Sequence, residues 1–192
     1  MLTFFAGASY GQFGVRAGGN LASLKIKVDF LGTSLSVNTD DKLGGHIGVY
    51  YKEKIGEKFT LRPNLIFTTA GGKATDETTG ESSNLNATYL GIPVDFLYSS
   101  PVGENSSFAL LGGPFVGYLL SSSADEGGED DAFKSLDYGL NFGVQFQANK
   151  IGVGLTYGLG LANIVPETEA NILFADASAS TRIISLFLTY DI

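Results

Sequence analysis

Cysteine is absent from the chain, which excludes a disulfide framework and any thiolate metal site. No window holds the roughly 18 consecutive apolar residues of a transmembrane helix. Charge is scarce too. Asp, Glu, Lys and Arg make up 17% of the 192 residues, against roughly 25% in ordinary soluble domains. Cations are the minority, 12 Lys and Arg against 20 Asp and Glu, for a net charge of −8. A phosphate-binding face needs clustered Lys and Arg, so nucleic acid is not an expected partner. The acids lie mostly between the apolar segments, as solvated loops do. His46 is the single histidine.

Glycine is what the chain has in excess, 26 residues, about twice ordinary usage. It falls inside periodic segments, which suits close packing better than disorder. The stretch from Leu136 to Leu161 shows how. From Leu136 to Phe146 the even positions are large and apolar, and the odd ones are small or polar, such as Gly139, Asn141, Gly143 and Gln145. After Asn149-Lys150 the parity switches, with Ile151, Val153, Leu155, Tyr157 and Leu159 apolar and Gly152, Gly154, Gly158 and Gly160 between them. Period 2 means strand. The switch places a two-residue hairpin turn at Asn149-Lys150, and Asn suits the first position of a type I′ turn.

A soluble barrel or sandwich would carry charged side chains on the face opposite its core. Here that face is glycine with uncharged polar residues, and the bulky face must meet something apolar. This is the pattern of a transmembrane β-barrel, apolar outward and small or polar inward. Without a spanning helix, closure is obligatory, because lipid cannot satisfy open backbone groups.

The same alternation predicts an all-β chain of eight antiparallel strands in up-and-down order: 13–21, 43–52, 59–68, 89–98, 108–120, 136–148, 151–161 and 181–192. Segment 22–41 alternates in its middle and reads as strand extending beyond the bilayer or as a loop hairpin. Residues 71–87 read as a polar loop, and 99–106 as a polar turn. Pro63 and Pro93 count against an unbroken ladder. Connections alternate long and short, as in outer-membrane barrels. Outward aromatics gather at the short-turn ends: Phe13, Tyr51, Phe59, Phe96, Tyr98, Phe108, Phe146 and Tyr190. They form the expected periplasmic interfacial belt. Residues 1–11 read as a signal-peptide remnant cut ahead of Gln12, and 12–192 as the barrel domain.

Few charges are expected inside. Arg16, Lys52, Arg62, Asp95, Asp137 and Arg182, with His46, form the predicted polar network of the lumen. Buried charges must pair, so cations are expected on Asp95 or Asp137. A catalytic His46 would need a nucleophile and an orienting acid beside it. No Gly-x-Ser-x-Gly or His-x-Ser motif accompanies it, so a hydrogen-bonded interior histidine is expected. The acidic run Asp125 to Asp131 lacks EF-hand spacing and reads as a solvated loop. The apolar residues Ile164, Val165, Ile172, Leu173 and Phe174 read as a cap on the barrel mouth. Neither a cofactor nor a metal is predicted.

Several segments, taken in order, carry a family resemblance: Phe13 to Leu21, Gly44 to Val49, Phe59 to Leu65, Tyr89 to Val94, Gly112 to Leu120 and Tyr157 to Ile164. In them the chain resembles the small outer-membrane β-barrel proteins of Bacteroidetes, the group containing the PorT protein of secretion and gliding. It departs from that pattern at Asn64 and Gly91, where the family carries a carboxylate, and at Ile192, where an aromatic is usual. The resemblance implies the fold and an outer-membrane location. The expected role is a non-enzymatic structural or accessory subunit of an envelope complex of secretion or assembly type, monomeric as a barrel and surrounded by outer-membrane lipid. The alternatives are a narrow pore or small-ligand transporter and, third, a lipid-modifying barrel enzyme.

Overall fold

The structure is a computed structural model describing residues 11–30, 33–38, 40–75, 82–124, 135–163 and 176–192. Nine strands account for nearly all of them: β1 (Gln12–Phe30), β2 (Thr33–Asn38), β3 (Asp40–Lys54), β4 (Phe59–Thr75), β5 (Ser82–Gly103), β6 (Ser106–Ala124), β7 (Leu136–Ala148), β8 (Ile151–Gly160) and β9 (Asp176–Asp191). Every pairing is antiparallel, and β1 closes on β9 from Gly14↔Asp191 to Asp29↔Asp176. The closed barrel therefore has eight strands, with β2 folded back on the far end of β1 from Lys25↔Asn38 to Phe30↔Thr33. Segment 22–41 is thus both readings at once, a strand extension ending in a hairpin.

The tight turns between β3 and β4, β5 and β6, and β7 and β8 lie at one end. Asn149-Lys150 joins β7 to β8, and Asn149 has φ 49°, the left-handed value a type I′ turn requires. At the other end the ladder runs farther than the hydrophobic pattern does. Gly71 to Thr75 pair with Asn86 to Ser82, so most of the expected 71–87 loop is sheet. The 99–106 turn shrinks likewise, because Ser99, Ser100, Pro101 and Gly103 pair with β6. Threonine, serine and asparagine suit a strand whose two faces are both polar, and such a strand shows no apolar alternation. Strands of 19 and 22 residues exceed the roughly 9–11 that cross a bilayer. The surplus of β1 stands at the end opposite the tight turns, and that of β5 is divided between the two ends.

Alternation sets the two faces. Along β8 every second residue from Ile151 to Tyr157 is exposed, and the residues between are buried. Leu43, Ile47, Leu110, Leu155 and Leu186 likewise face outward. The interior is narrow enough that bulky side chains need glycine opposite them. The Phe187 ring lies where a side chain on Gly154 would be, and Phe187 packs with Leu97, Ala109 and Leu111 near the tight-turn end.

Pro63 and Pro93 do break the ladder. Pairing of β4 with β5 skips from Pro63↔Val94 to Ile66↔Gly91. Pairing of β5 with β6 skips from Pro93↔Phe115 to Phe96↔Gly112. A closed barrel has no edge strand to hold a proline, so the interruptions are absorbed within the wall.

The signal-peptide reading of residues 1–11 lies outside the described residues except at Gly11. The acidic run 125–131 and the apolar residues 164, 165 and 172–174 also lie outside them.

Candidate functional site

The lumen has two levels. At the tight-turn end, neighbouring strands aim polar and aromatic side chains at a common centre. Lys52 Nζ donates to both oxygens of Asp191, at 2.7 and 2.9 Å. The Tyr50 hydroxyl and Gln147 Nε2 donate to the same carboxylate. One step inward, Arg62 donates through Nη2 and Nε to Asp95 Oδ2, at 2.9 and 3.2 Å, and through Nη1 to Gln145 Oε1 at 2.6 Å. Arg16 approaches the same Asp95 oxygen at 3.7 Å, with its guanidinium carbon 3.8 Å above the Phe187 ring centre. Arg62, Tyr50, Phe187 and Asp95 are each at most 1% exposed.

Two guanidiniums on one carboxylate leave a formal surplus of positive charge in a dry interior. Such a charge is tolerable only when hydrogen bonds and ring faces compensate. Tyr50 and Phe187 supply the rings, at 5.5 and 5.9 Å from the Arg62 guanidinium carbon. Hydrogen bonds then continue upward. Arg16 Nε donates to His46 Nε2 at 3.3 Å, and His46 Nδ1 lies 2.7 Å from Asn20 Oδ1. Asn20 Nδ2 donates to Thr68 Oγ1 at 2.7 Å. An acceptor on the Nδ1 side and a donor on the Nε2 side fix a neutral imidazole with its proton on Nδ1. His46 is therefore a hydrogen-bonded interior residue, and neither ring nitrogen is directed at a hydroxyl nucleophile.

Above this plug the lumen widens into a cavity of about 100 Å³ on the side away from the tight turns, bounded by Asn20, Thr68, Tyr89, Phe115, Asp137 and Ser185 among others. Among the described residues no group of three His, Cys, Asp or Glu is placed to hold a metal ion.

The predicted network is brought together in part. Arg16, His46, Arg62 and Asp95 form one cluster, and Lys52 joins it through Asp191, Gln147 and Gln145. Asp137 is inside but apart, and its bond is from Thr181 Oγ1 at 2.7 Å rather than from a cation. Arg182 is a correction. Thr181 and Ile183 both line the cavity, so alternation turns Arg182 to the outer face with Ile184 and Leu186. Asp191, Gln145, Tyr50 and Asn20 are lumen residues absent from the prediction. Asp191 was readable, since it lies between the outward Tyr190 and Ile192. Parity places Gln145, Tyr50 and Asn20 inward as well, but a neutral side chain on that face does not by itself announce a partner.

The predicted aromatic belt forms one rim. Phe13, Phe59, Phe96, Tyr98, Phe108, Phe146 and Tyr190 are exposed, while Tyr51 is half-buried. Phe13 faces Tyr51 and Phe59 faces Tyr98 across strands, with ring centres 5.1 and 5.2 Å apart. Phe108 pairs with Phe146. Lys58 and Lys150, on the tight turns, lie over Tyr98 and Tyr190.

One protein family agrees with this architecture. The model of the outer membrane protein beta-barrel domain matches residues 5–165. No curated protein matches the chain. Among solved structures it is similar to Neisserial surface protein A, at 13% identity over 93% of this chain and 96% of the other, TM-score 0.49. It is also similar to the outer membrane protein AlkL, at 14% identity over 100% and 95%, TM-score 0.47. Ail of Yersinia pestis follows at 13% identity over 92% and 99%, TM-score 0.38.

Proposed function

Because the chain belongs to the outer membrane protein beta-barrel domain family, and is therefore an integral protein of the bacterial outer membrane, we propose that it acts there as a non-enzymatic structural or accessory subunit of an envelope complex. The carrying observation is the plug. Arg62, Asp95, Tyr50 and Phe187 fill the tight-turn half of the lumen and are almost wholly buried. Eight strands leave an interior just wide enough for side chains. A barrel plugged in this way transmits nothing through its axis, so its part in a complex is played by its wall, its rims and its connections.

Within the family we infer a PorT-like member. The support is the run of segments from Phe13-Gly14-Val15-Arg16 through Gly112-Gly113-Pro114-Phe115 to Tyr157-Gly158-Leu159-Gly160, and with it a secretion or assembly complex as partner. The His46 environment, with Asn20 on one nitrogen and Arg16 on the other, favours this over a lipid-modifying enzyme. Extraction in mild detergent, affinity capture and mass spectrometry test the assignment. Recovery of a stoichiometric envelope complex is the expected outcome. A barrel recovered alone, together with a large steady conductance in planar bilayers, would replace this reading with the narrow pore.

A further inference from the structure

Asp137 is the one acid among the described lumen residues that takes no part in an ion pair, since the three lumen pairs use Asp95 and Asp191. It is 4% exposed. Its Oδ2 receives the Thr181 hydroxyl, and its Oδ1 has no hydrogen-bond partner. A buried carboxylate oxygen without a donor is costly. In this case it borders the cavity above the plug.

The wall around that buried oxygen combines glycines, a hydroxyl and aromatic rings. Asp137 pairs with Gly117 on β6. A side chain there would lie in ordinary contact, 3.6 Å from Tyr89 Cδ1 and 3.9 Å from the Asp137 main-chain oxygen, so the Tyr89 ring stands beside the Asp137 backbone on this face. On the other side, the Thr181 hydroxyl occupies the place a side chain on Gly160 would need, which lets it reach Asp137 across β8. The Phe115 ring lies over Gly139, two residues along the same face. The cavity thus has a carboxylate with a free oxygen, two aromatic rings, and hydroxyl and amide groups. Its nearest cation, Arg16, is already turned to Asp95, His46 and Thr156.

We propose that this cavity is a binding site for a small organic monocation, a primary or methylated ammonium. The charged head pairs with Asp137 Oδ1, and its methylene or methyl groups lie against Tyr89 and Phe115. Carboxylate and ring faces together are how proteins recognise ammonium groups. A divalent metal would need several oxygen donors, and one carboxylate with a hydroxyl does not supply them. An anion would meet an unneutralised carboxylate. The site faces the end away from the tight turns and lies above the plug, so a ligand enters and leaves on that side.

The test is an amide NMR titration of the folded, ¹⁵N-labelled full chain in detergent micelles. Methylammonium and tetramethylammonium chloride serve as probes, with sodium chloride at equal ionic strength as the reference. Saturable shifts confined to the neighbourhood of Asp137, Tyr89, Gly117 and Thr181 are expected with at least one ammonium probe. They should be at least tenfold weaker in Asp137→Asn, whose folding is checked by heat-modifiable gel migration. Should that variant not fold, Tyr89→Leu replaces it and should weaken binding, whereas Tyr89→Phe keeps it. No saturable shift, equal shifts with sodium, or unchanged affinity in both Asp137→Asn and Tyr89→Leu would overturn the proposal.

Discussion

The side-chain amide of Asn64 donates to the main-chain carbonyl of Pro93 at 3.0 Å and to that of Arg62 at 2.8 Å. These carbonyls border the gap between Pro63↔Val94 and Ile66↔Gly91, where the β4–β5 ladder is broken. One buried amide therefore satisfies two backbone acceptors at the interruption. The third contact of that nitrogen is Asp95 Oδ2 at 3.1 Å, which ties the repair to the Arg16–Asp95–Arg62 cluster.

Replacing Asn64 with Leu keeps the volume and removes the donor. Buried acceptors left unpaired cost about 1–3 kcal/mol, so the urea midpoint in phospholipid vesicles should fall. A midpoint equal to the parent protein's would show that water takes over the amide's role.

Asp95→Asn should be more damaging than any other single lumen change. It leaves Arg16 and Arg62, both buried, without their common counter-charge. Removing one partner of a buried ion pair costs roughly 3–5 kcal/mol. The combined change Arg62→Met with Asp95→Leu should recover part of that loss. Unfolding of both variants, followed by heat-modifiable migration, gives the comparison.

Most of the wall was legible from parity alone, because lipid outside and glycine inside impose opposite demands on adjacent residues. Leu155, Val144 and Leu186 needed nothing more. Two things were not legible. Strand outside the apolar pattern, as at Gly71 to Thr75, is built of small and polar residues and lacks the alternation that marks a strand. The lumen was half readable. Charges announce themselves, so Arg62 and Asp95 could be named. Which carboxylate each cation meets depends on register between strands far apart in sequence, and Lys52 finds Asp191 rather than Asp95 or Asp137. Asn64 was the least visible of all, since its role exists only because of a proline on the neighbouring strand.

Leu155 sits mid-strand on β8, beside Val144 and Leu186, on the outer face. Leu155→Arg should destabilise the barrel in bilayers by about 2–4 kcal/mol, whereas a charge at the rim, Ile55→Arg, should cost about 0–1 kcal/mol. Equal effects at the two positions would contradict the placement of the bilayer on this wall.

Planar-bilayer recordings should show no steady conductance for the parent barrel. Tyr50→Ser combined with Arg62→Ser removes two of the largest buried side chains of the plug and should produce a measurable current. His46→Ala should leave the lipid A mass spectrum of expressing cells unchanged. A modified lipid A that depends on His46 would restore the enzymatic alternative.

Lys52 and Asp191 sit on β3 and β9, the two strands that flank β1. Their bond therefore spans the seam at which the first and last strands of the barrel meet. Every other neighbour pair in the cylinder is joined by a connection within its own stretch of chain, whereas this seam joins residues from nearly opposite ends of the sequence. Its loop-closure entropy exceeds that of the β7–β8 hairpin by about 3–4 kcal/mol. The kinetic consequence is an order of events: hairpins first, closure last, with Lys52, Tyr50 and Asp191 as the latch. Until the latch engages, the sheet has two unsatisfied margins and cannot stand in lipid. Insertion and sealing are then a single cooperative step that weakening one ion pair would slow.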